Sequence, residues 1–98
     1  MDQAEIYKTE KFTRWIDGLS DIRAKVRILV RIERLAQGNP GDTKSIGEGV
    51  SELRIDYGPG YRVYYTKIGP NKLVLLTGGS KHSQDRDIKT SLRLARHL

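Results

Sequence analysis

The spacing of apolar residues changes period once along this chain, and that change restricts the fold more than any other feature. Across residues 21–37, Ile22, Val26, Leu29, Ile32 and Ala36 recur at helical intervals, with Ile28 and Leu35 beside them. The spacing predicts an amphipathic helix whose inward stripe is formed by those residues. From residue 51 the period becomes two: Ser51, Leu53, Ile55 and Tyr57 alternate with Glu52, Arg54 and Asp56, as the two faces of a strand require. Helices first and strands after argue for an α+β protein, with an antiparallel sheet carrying helices on one face.

The remaining elements are placed around that switch. Residues 6–9 form a short first strand. Phe12, Trp15, Ile16 and Leu19 give one apolar face of a short helix that weakens at Gly18. Ser20 is the expected N-cap of the long helix, and Gly38 followed by Pro40 stops it; the two helices make an αα-hairpin. Residues 41–49 are polar and glycine-rich and are expected to be a loop. The Gly58-Pro59-Gly60 turn leads into a strand over 61–66, Gly69-Pro70-Asn71 makes a second turn, and residues 73–77 read as a central strand buried on both faces. Gly78-Gly79 is expected to end it. Residues 84–98 form a last helix, with Ile88, Leu92 and Ala95 inward. The order is β, α, α, β, β, β, α, with no repeat and no linker, so residues 1–98 are expected to form one domain.

Eighteen Lys and Arg against twelve Asp and Glu leave a formal charge of +6, which favours a polyanionic partner such as RNA. The absence of cysteine excludes disulfides, thiolate-held zinc and a thiol nucleophile, and suits the reducing cytoplasm. His82 and His97 are too few for a histidine-rich metal site. The start, Met1-Asp2-Gln3-Ala4-Glu5, lacks a signal-peptide pattern, and no apolar run reaches membrane-spanning length. A cytoplasmic protein with no membrane contact is expected.

Counting outward from a turn without a bulge pairs Tyr57 with Tyr61, Asp56 with Arg62, Ile55 with Val63 and Arg54 with Tyr64. Arg54, Asp56, Arg62 and Tyr64 then share the outer face of the sheet. An ordinary solvated face, with Arg62 paired to Asp56, accounts for this pattern at little energetic consequence. A phosphate site accounts for more of it. Arginine grips phosphate with two parallel donors, Tyr64 offers a plane for a base, and Lys81 and His82 follow the next strand to the rim of the same face. Ser83, Asp85 and Asp87 read as the capped start of the last helix. Arg23, Arg27, Arg31 and Arg34 lie along one side of the long helix. They are either a solvated face or a track for an RNA backbone.

The run Glu52-Leu53-Arg54, then Gly60-Tyr61-Arg62-Val63-Tyr64-Tyr65, then Leu75-Leu76-Thr77-Gly78-Gly79-Ser80-Lys81, with Gln84 and Asp87-Ile88 following, resembles the HigB-like or phage Gp49-like branch of the RelE/ParE toxin superfamily, over nearly the whole chain. The resemblance implies a RelE-like fold and the toxin of a type II toxin–antitoxin system. The activity it implies is endoribonuclease cleavage of mRNA at the ribosome, inhibiting translation, without metal or cofactor; poisoning of DNA gyrase is the alternative. It implies a cognate antitoxin, often a helix-turn-helix protein. Arg62 stands where RelE-type toxins keep a catalytic arginine, and Lys81 near a second basic position. Val50 and Glu52 replace lysines, and Asp87 replaces a tyrosine. The expected chemistry is attack of a ribose 2′-OH on the adjacent phosphate. Arg54 and Arg62 clamp its oxygens, Lys81 or His82 handles protons, and Tyr64 stacks on a base.

Overall fold

Thr9 joins the first two elements of the chain. Its hydroxyl accepts from the Phe12 amide at 3.0 Å, as a helix N-cap, and donates to the Leu76 carbonyl at 2.6 Å. One side chain thus starts a helix and ties it to the middle of the sheet. In the computed structural model, which describes residues 3–98, the order is β1 (Glu5–Lys8), α1 (Glu10–Asp17), α2 (Ile22–Ala36), β2 (Thr43–Gly47), β3 (Val50–Ile55), β4 (Tyr61–Ile68), β5 (Lys72–Ser80) and α3 (Gln84–Arg96), with a single 3₁₀ turn, Lys81–Ser83, between the last two. Met1 and Asp2, at the polar start noted above, lie outside the described residues.

The protein is α+β, but the sheet is mixed rather than antiparallel. Its order is β1-β5-β4-β3-β2. β1 runs parallel to β5, pairing Glu5 with Lys72 and Lys8 with Leu75, and the other neighbours are antiparallel. Both faces are covered. Phe12 and Ile16 of α1 and Ile28, Ile32 and Leu35 of α2 pack on Leu53, Ile55, Val63, Tyr65, Leu73 and Leu75. On the other face, Ile88, Leu92 and Ala95 of α3 pack on Val50, Tyr64, Val74 and Leu76. An apolar run such as 73–76 is what a strand sandwiched between helices needs.

Four expectations are corrected. The N-cap of α2 is Asp21, not Ser20: its carboxylate accepts from the Arg23 and Ala24 amides at 3.0 and 3.2 Å. The buried face of α2 is Ala24, Ile28, Ile32, Leu35 and Ala36, while Ile22, Val26 and Leu29 are exposed. The helix is rotated from its expected setting because it carries apolar residues on two sides, and the packed side is the one that carries Ala24 and Ala36. The glycine-rich loop contains an edge strand, β2. Its polar composition is that of a strand with one partner and one open edge. It is joined to β3 by Gly47-Glu48-Gly49, all three at positive φ. Finally, Gly78 and Gly79 do not end β5 but lie inside it, buried. A methyl group on Gly78 would collide with the Trp15 indole, and one on Gly79 with Asp87 and Ser83. These glycines serve close approach, not chain breaking.

Candidate functional site

The β3–β4 hairpin is paired two residues away from the simple count. Ile55 faces Tyr61, Arg54 faces Arg62, Leu53 faces Val63 and Glu52 faces Tyr64. The turn takes up residues 56–60, closed by Tyr57 N–H to Ile55 O at 2.9 Å and Gly60 N–H to Tyr57 O at 3.0 Å. A slip of two preserves which face each side chain takes. It brings Arg54 directly opposite Arg62. The Lys81 amide donates to the Gly60 carbonyl at 2.7 Å, which draws the 3₁₀ turn against the hairpin. The result is a hollow of about 400 Å³ with Arg54, Arg62 and Lys81 on its wall, together with Asp42, Asp56 and Tyr61.

Three cations and two carboxylates therefore line the hollow, which is less uniformly basic than the sequence suggested. Each arginine is held from behind. Arg54 donates from Nε and Nη2 to Asp42 Oδ1 at 3.2 and 3.0 Å. Arg62 donates from Nη1 to Glu52 Oε1 at 2.7 Å. Its expected partner, Asp56, is exposed and makes no such bond. Glu52 is almost fully buried and collects two further donors on Oε2, the Tyr64 hydroxyl at 3.2 Å and Gln84 Nε2 at 3.0 Å. A buried carboxylate that accepts three hydrogen bonds has its charge compensated by geometry. Arg62 Nε is buried and makes no hydrogen bond, so the pair is held at the cost of one unsatisfied donor.

Tyr64 is therefore not available to a base. It is fully buried under α3, and its phenol pKa is raised well above the usual value by burial and then by the Glu52 charge. Tyr61, which lines the hollow and leans on Trp15 with ring centroids 6.3 Å apart, presents the aromatic surface instead. His82 is exposed on the 3₁₀ turn and is not among the residues lining the hollow.

A family model described as phage-derived protein, Gp49-like (DUF891), matches residues 14–97, from α1 through the end of α3. The chain belongs to the Gp49-like family. It is also 47% identical over 94 residues to an uncharacterized protein of Haemophilus influenzae (strain Rd), covering 96% of this chain and 95% of that one. Every residue lining the hollow falls within the Gp49-like family match.

The arginines of α2 divide. Arg31 is structural: it donates to the carbonyls of Arg54 at 2.6 Å, Pro40 at 2.9 Å and Asp42 at 3.2 Å, which fixes the loop that carries Asp42. It has little left to offer RNA, contrary to expectation. Arg27 lies over the Tyr57 ring at 4.7 Å, and Arg23 and Arg34 are exposed. Residues to which sequence reasoning assigned no role in the candidate site hold its arginines: Asp42 on Arg54, and Glu52, itself bonded by Gln84, on Arg62. An acid among the outward positions of a strand gives no sign of burial unless the cover on that face is known. No helix of the described residues is long and apolar enough to cross a membrane.

Proposed function

We propose that this Gp49-like protein is the toxin of a toxin–antitoxin pair of the RelE/ParE type, acting as an endoribonuclease on mRNA in the cytoplasm. The pairing of Arg54 with Arg62 across two strands, with Lys81 closing the hollow from the side, is the observation that carries the reading. Membership of a family of toxin-like, addiction-module proteins supports it. The order of elements, with two helices preceding the β3–β4–β5 meander, is consistent with the fold that the resemblance implies.

Two guanidinium groups and an ammonium suit a phosphodiester, whose charge grows as a fifth oxygen approaches phosphorus. In the proposed step the ribose 2′-oxygen attacks the adjacent phosphorus in line. The bond from phosphorus to the 5′-oxygen breaks, giving a 2′,3′-cyclic phosphate and a 5′-hydroxyl. The 2′-OH proton passes to Asp56, the carboxylate of the hollow that no ion pair engages among the described residues. The leaving 5′-oxygen takes a proton from Lys81. Arg54 and Arg62 hold the non-bridging oxygens, and Tyr61 offers its ring to a flanking base. The site supplies charge and position, and the ribosome supplies the message in an extended form. No metal or cofactor is asked for. The partners of this reading are mRNA, the ribosome and an antitoxin, of the helix-turn-helix kind that the resemblance implies.

The test is induced expression of the chain and of Arg54→Ala, with primer extension on translated messages. Growth arrest with new 5′ ends for the wild type, and loss of both in the variant, is the expected outcome. Accumulation of cleaved DNA–gyrase complexes with intact messages would replace the nuclease by a gyrase poison.

A further inference from the structure

α2 has two apolar faces, and the fold uses one. Val26 and Val30 each stand two residues from the buried Ile28, about 200° around the helix. With Ile22 and Leu29 they make an outer stripe over two turns, exposed at 75% for Ile22, 54% for Val26, 44% for Leu29 and 45% for Val30. Arg23, Arg27 and Arg34 border this stripe on one side. A groove of about 360 Å³ runs between it and the end of β3, reaching Ile55 and Asp56. Those two residues also line the hollow, so whatever fills the groove abuts the site.

We propose that this outer face of α2 is a docking surface for an acidic amphipathic helix of a partner protein. Apolar residues at 22, 26, 29 and 30 have the ridge spacing into which another helix packs, and an apolar patch of this kind on a small protein marks an interaction surface. The bordering arginines call for carboxylates on the flank of the incoming helix. An RNA backbone matches the arginines but leaves four aliphatic side chains against phosphate and ribose. A second copy of the chain matches the aliphatic stripe but sets Arg23, Arg27 and Arg34 against their own equivalents, because a two-fold contact uses the same patch twice. The acidic helix satisfies both halves of the surface, and it lies against Ile55 and Asp56, which the groove shares with the hollow. The proposal rests on the toxin reading only for where the partner is encoded, in the reading frame adjoining this one.

The experiment uses the full chain and the protein of that adjoining frame, comparing wild type with Val26→Asp/Val30→Asp. Both positions are exposed, and circular dichroism checks that the variant folds. Calorimetric affinity and growth on induction are read separately. The expected result is a variant that still arrests growth, escapes neutralisation and binds the partner about tenfold or more weakly. A variant bound and neutralised as tightly as wild type overturns the docking proposal while the toxin reading stands. A folded variant that no longer arrests growth places the stripe against the target and also overturns it. If wild type does not arrest growth, the toxin reading fails, and the affinity ratio alone decides the surface. A dimer in sedimentation that the double variant abolishes would assign the stripe to self-association instead.

Discussion

Glu52 and Arg62 form an ion pair at 2.7 Å with side-chain exposures of 1% and 12%, directly behind the wall of the hollow. The pair sets how Arg62 must be studied. Removing either partner strands a buried charge, so Arg62→Ala and Glu52→Ala should each cost about 3–5 kcal/mol in urea denaturation. The apolar double variant Glu52→Leu/Arg62→Met should regain most of that loss. Additive losses in the cycle would show that the pair is not coupled.

Arg54 and Lys81 separate activity from stability. The Arg54–Asp42 pair is partly exposed, and such pairs contribute about 0–1 kcal/mol. Arg54→Ala and Lys81→Ala should therefore unfold within about 1 kcal/mol of wild type while lowering RNA cleavage by about 10²–10³-fold, the usual loss when one donor to a developing charge is removed. Primer extension and thermal denaturation of the same preparations check both halves.

Tyr64 gives the folded state an alkaline limit. Burial and the neighbouring Glu52 raise its pKa from 10.0, so above about pH 10 the unfolded chain releases the phenolic proton while the folded chain keeps it. Its contribution is fully present below that pH and declines as pH rises. Urea midpoints between pH 9 and 11, on the order of the phenol's ordinary titration range, should fall less steeply in Tyr64→Phe than in wild type. That variant should also lose about 1 kcal/mol at neutral pH with the hydroxyl bond to Glu52. Parallel alkaline slopes would exclude Tyr64 as the source.

Gly78 is a packing residue. Gly78→Ala should destabilise by about 1–3 kcal/mol, the cost of overfilling a closed site, because the Trp15 ring occupies the space. Combining it with Trp15→Leu should cost less than the two changes summed. Thermal denaturation of the two single variants and the double variant tests this. A Gly78→Ala protein as stable as wild type would mean that the ring moves freely.

The placement of Arg54 and Arg62 on one face was legible because side-chain parity is blind to a two-residue slip in the hairpin. The burial of Glu52 and Tyr64 was not. Alternation marks two faces of a strand, yet it cannot say that α3, which begins twenty residues after Tyr64 and thirty-two after Glu52, returns to cover the second one. The rotation of α2 escaped for a related reason: its apolar residues sit on two sides, and only the sheet decides between them. β2 was hidden by the polar character proper to an edge. Gly78-Gly79 was read as a stop because a glycine needed for contact looks the same in sequence as one needed for a turn. Lys81 reached the hollow as expected, carried there by a backbone hydrogen bond to Gly60 that no side-chain pattern announces.

The parallel seam between β1 and β5 imposes an order of events on synthesis. The first strand to leave the ribosome finds its neighbour only when Lys72 to Leu75 have also emerged, and Thr9 waits equally long for the carbonyl of Leu76. Closure of the sheet at that margin is a late, non-local step. The growing chain must pass most of its translation with Ile6 and the apolar side of α1 unburied, in the company of the machine that is making it.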